Sequence, residues 1–221
     1  MNAESIRLIL DKVSSGTTSV DQAIEQLRSL PYEDIGFAKL DTHRHMRTGY
    51  PEVVFCQGKT TEQIISILKR LSKHSQCVLG TRATPDVYDA VSLEIPETQY
   101  FSDARIIRVG KPAISDEKLL QRETYVSVLC AGTADLPIAM EAVITAKTLG
   151  SRVETAFDVG VAGLHRLLDQ RDMISGANAI VVVAGMEGAL PSVVGGLVSR
   201  PVIAVLTSVG YGASFGGIAA L

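Results

Sequence analysis

The 221-residue sequence predicts an α/β protein: a doubly wound parallel sheet in its C-terminal part, preceded by a smaller α+β domain. Three observations carry that prediction. Runs rich in β-branched residues at 125–130, 153–158, 179–184 and 202–207 alternate with helical patterns, the rhythm of a parallel sheet. Small and glycine-rich corners follow three of those runs, at 130–135, 185–191 and 207–217. The first 122 residues have a different rhythm, with a helical pair followed by short strands and loops. The expected domains are therefore 1–122 and 123–221.

Taken in order, residues 5–14 place Ile6, Leu8, Ile9, Leu10 and Val13 near helical spacing. A second helix is expected over 20–30, with Ser19 as its cap and Pro31 as its stop. The pair reads as a helical hairpin for docking or assembly. Residues 37–41 alternate like a strand. Residues 42–49 gather His43, Arg44, His45 and Arg47 before a Gly–Tyr–Pro turn. Arginines suit bidentate phosphate or carboxylate contacts, and a solvated polar loop explains them equally well. Residues 53–56 form a short strand and Gly58 turns it. Thr60 to Gln63 resembles a capping box, and Ile64, Ile65, Ile67, Leu68 and Leu71 form the apolar face of the helix that follows. A strand at 77–79 ends in Gly80-Thr81-Arg82, which places Arg82 at a carboxyl end, where α/β ligands sit. Residues 85–100 resist assignment. A strand is expected at 106–109, and the polar stretch 110–122 holds the domain boundary.

Beyond it, helices are expected at 136–149, near 162–174 and near 190–198, with Gly150 and Ser175-Gly176 as stops. At the first corner, Cys130-Ala131-Gly132-Thr133-Ala134-Asp135, Gly132 lets backbone approach a ligand, and Thr133 and Asp135 can cap the next helix. The free N–H groups of that first turn make an anion site. Carboxyl ends of parallel strands share one edge, so the three corners converge, which favours a nucleotide-like ligand over an ordinary strand–turn–helix junction. Glu187 is the only acid between Asp172 and Leu221. Set among Gly, Ala and Val, it is expected to be poorly solvated and suited to acid–base work, ahead of the plainer role of an acid at a helix N-terminus. Asp158 and His165 are expected at the same edge.

Composition narrows the function. A net charge of −3, a pI of about 5.8 and dispersed basic residues give no case for nucleic acid. Residues 1–30 are charged and amphipathic, unlike a signal peptide. Residues 201–221 are uncharged, but Pro201, Thr207, Ser208, Ser214 and four glycines argue for a strand and loop rather than a membrane span. Cys56, Cys77 and Cys130 show no paired spacing and read as reduced thiols in a cytoplasmic protein; no Cys/His cluster suggests zinc.

The corner 130–135, the stretch from Asp158 to Arg166, Gly185-Met186-Glu187-Gly188-Ala189-Leu190-Pro191 and the loop 207–217 resemble the aminoimidazole ribonucleotide carboxylase/mutase fold of purine synthesis. The whole chain resembles the LarB family, the carboxylase/hydrolases of nickel-pincer nucleotide synthesis. Leu40-Asp41-Thr42-His43-Arg44 and Gly49-Tyr50-Pro51-Glu52-Val53 match that family's N-terminal region, which the purine enzymes lack. The resemblance implies a substrate, nicotinic acid adenine dinucleotide, whose pyridinium ring gains a carboxyl at C5 from CO2. Hydrolysis of the pyrophosphate, assisted by Mg2+ or a similar ion, then releases AMP and leaves pyridinium-3,5-biscarboxylic acid mononucleotide. In the family a cysteine thiolate first adds to the ring, because a cationic ring does not attack CO2 until a nucleophile quenches its charge.

By the same resemblance Glu187 handles the C5 proton, with Asp135 and His165 as further catalytic candidates. Gly132, Thr133, Asp158, Gly185, Met186, Gly188, Ser208, Gly210, Tyr211, Gly212 and Ser214 bind the nucleotide, and Arg44, Arg47 and Arg82 serve the phosphates. The metal ligands are not readable. The family's nucleophilic cysteine lies in a Leu-Asn-Ser-Cys-type stretch just past the last loop, and the sequence stops at Leu221. The chain is therefore expected to bind dinucleotide without carboxylating it. A homo-oligomer is expected from the purine relatives. Two other readings stay open: an aminoimidazole ribonucleotide carboxylase/mutase, which needs no N-terminal extension, and a non-catalytic nucleotide-binding module, which needs no cysteine.

Overall fold

Residues 3–27 and 31–208 are described by a computed structural model. The chain falls into two units, Met1–Tyr100 with Ile106–Lys111, and Phe101–Arg105 with Pro112–Leu221. The expected boundary near 122 lies inside the second unit, in the link between a short helix and its first strand.

The first unit opens with the helical hairpin, α1 (Ala3–Ser14) and α2 (Val20–Leu27). Ile9 and Ala23 are buried against each other's helix, with Ile6, Val13 and Leu27 around them. Ser19 caps α2: its Oγ accepts the Gln22 N–H at 3.1 Å, and Gln22 Oε1 accepts the Ser19 N–H at 3.0 Å. A short antiparallel pair follows, β1 (Glu33–Asp34) and β2 (Lys39–Leu40). Residues 42–49, expected as loop, contain α3 (Arg44–Thr48), which ends at Gly49 in the left-handed conformation, φ 80°.

A four-stranded sheet completes the unit. Its elements are β3 (Val54–Phe55), α4 (Thr61–Leu71), β4 (Cys77–Thr81), α5 (Pro85–Glu94), β5 (Thr98–Phe101) and β6 (Ile106–Gly110), with strand order β3-β4-β6-β5. β3 runs parallel to β4, and β6 antiparallel to it. The expected capping box at Thr60 and Gln63 starts α4, which buries Ile64, Ile67, Leu68 and Leu71. α5 and β5 occupy the stretch that resisted assignment. Tertiary contacts hold them: Tyr88 and Tyr100 stack with centroids 5.0 Å apart, and the Tyr100 hydroxyl donates to the Ala83 carbonyl at 3.0 Å.

The second unit contains α6 (Asp116–Leu120), β7 (Tyr125–Cys130), α7 (Leu136–Thr148), β8 (Arg152–Ala156), α8 (Leu164–Leu168), α9 (Arg171–Gly176), β9 (Ala179–Ala184), α10 (Ala189–Leu197) and β10 (Val202–Leu206). All four strands are parallel, in the order β10-β9-β7-β8. The alternation of side chains sorts the core into two layers. Val128, Cys130 and Val183 pack with Ala139 and Val143 of α7 on one face. Leu129, Ile180 and Val182 pack with Leu167, Ile174, Leu190 and Val194 on the other. This is the predicted doubly wound α/β sheet. One expected helix, near 162–174, is broken instead into a 3-10 turn (Val161–Gly163), α8 and α9. Among the described residues no helix is long and apolar enough to cross a membrane.

Candidate functional site

The strand order creates the site. From β7 the chain steps to β8 on one side, then crosses back to β9 on the other. At such a switch point the loops leaving β7 and β9 diverge and open a crevice at the carboxyl edge. A cleft of about 390 Å3 lies there, lined by residues 131–135 after β7, by Asp158, Gly160, Val161 and Ala162 after β8, by Arg166 of α8, and by 184–187, Ala189 and Leu190 after β9. Two of the three expected corners thus meet, and the turn after β8 forms a third wall.

Glycine allows the walls to meet. Gly160 N–H donates to the Ala131 carbonyl at 2.9 Å, and a Cβ at Gly160 would sit 2.8 Å from that oxygen. Val159 N–H donates to the Cys130 carbonyl at 3.1 Å. These bonds extend the strand pairing past the end of β8 and fix Asp158 at the rim. Asp158 has φ +57° and Met186 φ +55°, two non-glycine residues in left-handed backbone, both at the cleft.

Asp135 is buried, and both its carboxylate oxygens are engaged. Oδ2 accepts the Gly132 N–H at 3.1 Å, and Oδ1 accepts the Thr207 hydroxyl at 2.6 Å. The carboxylate therefore closes its own corner and ties it to the end of β10. It does not cap α7, as the sequence reading expected, because both acceptors are occupied elsewhere. Cys130 is fully buried, its thiol donates to the Gly132 carbonyl at 3.5 Å, and burial pushes its pKa up. A buried, protonated thiol is a poor nucleophile.

Glu187 lines the cleft but is exposed, so among the described residues nothing provides the expected desolvation: the turn after β9 stands at the open rim. Gly188 is the left-handed N-cap of α10, φ 63°, and its N–H closes a turn onto the Gly185 carbonyl at 3.0 Å. His165 is exposed on α8 and is not among the lining residues; its neighbour Arg166 is. Arg166 Nη1 donates to Asp158 Oδ2. Gly163 makes room for that guanidinium, since a Cβ there would lie 2.6 Å from Arg166 Nε. The pairing of Asp158 with Arg166 across eight positions was the legible signal, and the adjacent histidine masked it.

Ser208 lies exposed just past β10, and Gly210, Tyr211, Gly212 and Ser214 lie outside the described residues. Arg44, Arg47 and Arg82 belong to the first unit. Arg47 forms a two-point contact with Asp41, at 3.1 and 2.6 Å, and its hydrogen bond holds the Asp41 carboxyl below its usual range. Among the described residues no group of three or more His, Cys, Asp or Glu side chains is arranged to hold a metal ion.

A crevice at a switch point, walled by glycine and alanine and carrying one arginine and one open carboxylate, marks the ligand site of a doubly wound α/β domain. The family model of the LarB/PurE-like N-terminal domain matches residues 32–111. An uncharacterized protein of Methanocaldococcus jannaschii is 37% identical over 215 residues, covering 95% of this chain and 83% of the relative. The chain belongs to the LarB family.

Proposed function

We propose that the cleft binds nicotinic acid adenine dinucleotide, and that the protein carboxylates its pyridinium ring at C5 with CO2 and hydrolyses the phosphoanhydride. The products are AMP and pyridinium-3,5-biscarboxylic acid mononucleotide. The observation that carries this reading is the cleft itself. Its walls at 131–134 and 184–185 are backbone and small side chains, which admit a flat ring and a phosphate closely. Glu187 stands at the rim as the open carboxylate, placed to take the C5 proton once CO2 has added. Arg166, held by Asp158, is the cation of the lining that meets the ligand's negative charge. Membership of the LarB family supports the substrate class. Asp135 acts by holding the first corner, not as an acid or base. Cys130, buried and with its pKa raised, does not serve as the thiol that quenches the ring's charge.

The test incubates the protein with nicotinic acid adenine dinucleotide, bicarbonate and Mg2+ and follows products by mass spectrometry. The 221-residue chain runs beside a version that continues into the family's Leu-Asn-Ser-Cys-type stretch. AMP and the dicarboxylated mononucleotide from the longer protein, both reduced by about 100-fold or more in Glu187→Gln, support the reading. Carboxylation of aminoimidazole ribonucleotide in place of the dinucleotide would replace it with the purine one.

A further inference from the structure

Both principal walls of the cleft are bonded to a residue that does not line it. Thr207 lies one position past β10 and is 1% exposed. β10 pairs with β9 and not with β7, so its end is one strand removed from the first corner. Thr207 still reaches both walls. Its N–H donates to the Ala184 carbonyl at 3.0 Å, where the wall after β9 begins. Its hydroxyl donates to Asp135 Oδ1 at 2.6 Å, in the wall after β7. Asp135 passes the connection on, since its Oδ2 accepts the Gly132 N–H at 3.1 Å.

Backbone pairing joins β7 to β9 as far as Ala131, whose N–H donates to the Val183 carbonyl at 3.0 Å. Beyond that bond the two loops diverge, and the series Ala184, Thr207, Asp135, Gly132 links them again. A hydrogen bond to a carboxylate is stronger than a neutral one, and burial keeps water from competing for it. We propose that Thr207 is a positioning residue of the cleft: it sets the separation of the two walls and, through it, the affinity for the dinucleotide. This rests on the dinucleotide reading of the cleft. The hydroxyl is the part required. Valine keeps the shape of threonine but cannot donate, which leaves Asp135 Oδ1 buried without this partner. The carboxylate then turns toward the water of the cleft and releases the Gly132 N–H. The wall loosens, and a negative charge enters the space that an anionic ligand needs.

Two measurements on Thr207→Val and Thr207→Ser test this. Hydrogen exchange at the Gly132 amide needs no ligand. It is expected to be about tenfold faster in Thr207→Val and close to wild type in Thr207→Ser, which keeps the donor. Calorimetric titration with nicotinic acid adenine dinucleotide is expected to show affinity about tenfold weaker in Thr207→Val and restored in Thr207→Ser. Val143→Ala is the control for lost stability. Val143 is buried under α7 and does not line the cleft, so its truncation lowers the urea midpoint and leaves both readouts within about twofold. Unchanged Gly132 exchange in Thr207→Val would overturn the proposal. So would equal effects of valine and serine, an unchanged affinity where exchange has risen, or an equal loss of affinity in Val143→Ala. A wild-type chain that binds no dinucleotide would remove the substrate reading, and Gly132 exchange then decides by itself whether Thr207 holds the wall.

Discussion

Two side chains around the cleft show how one atom's environment sets a residue's role. Thr207 is buried and its hydroxyl is a partner of a buried carboxylate oxygen. Thr207→Val keeps the shape and removes the donor, so Asp135 Oδ1 loses that partner. The expected cost is about 1–3 kcal/mol, read as a lower midpoint in urea unfolding. Gly163→Ala acts differently. Its new methyl meets the far end of a flexible arginine, not backbone. The fold is expected to hold within about 1 kcal/mol. The guanidinium moves off Asp158, and dinucleotide affinity measured by calorimetry falls about tenfold, one charged hydrogen bond's worth. Unchanged affinity in Gly163→Ala would remove Arg166 from the binding role.

At the scale of elements, the corners depend on where strands stop. Gly160→Ala places a methyl 2.8 Å from the Ala131 carbonyl, a backbone atom that cannot swing aside. The expected loss is about 1–3 kcal/mol of stability, together with weaker ligand binding as the two walls part. The strands β7 and β9 were legible to the residue because their apolar runs are long and closed by turn chemistry. The capped start of α4 was legible for the same local reason. The helix near 162–174 was not, because the break between α8 and α9 answers to packing against the sheet, with Leu167 and Ile174 buried in separate turns. α5 was hidden similarly, since the Tyr88–Tyr100 stack that anchors its surroundings joins residues far apart in sequence. In the candidate site, the glycine corners could be read from the chain. The exposure of Glu187 and the engagement of Asp135 could not, because burial and the partner Thr207 are set across the sheet.

At the scale of the molecule, the two units have separate cores and respond to conditions through their own groups. In the first, His74 follows α4, and burial pulls its pKa below the usual value. The unfolded chain therefore binds this proton more readily than the folded one. The stabilising contribution is present above about pH 6.5 and is lost as pH falls through the lower folded value. Urea midpoints are expected to drop between pH 7.5 and 5.5, and His74→Asn to flatten part of that drop. An identical pH profile in the variant would exclude His74 as the source. In the second unit the thiol of Cys130 should resist alkylation at pH 8 until the fold opens, so its labelling rate reports unfolding of the domain that carries the cleft.

The walls of that cleft have a consequence for how its preference changes over generations. Ala131, Gly132, Ala134, Gly160, Ala162, Ala184, Gly185 and Ala189 offer almost nothing to trim. A binding site made of large side chains drifts toward new ligands by losing atoms, one replacement at a time. Apart from Thr133 and Met186, the walls at 131–134 and 184–186 are already at their minimum, so point substitutions at the other positions only fill the site. New ligand classes are then reached by changing the path of the loops, through insertion or deletion, while the sheet beneath stays as it is.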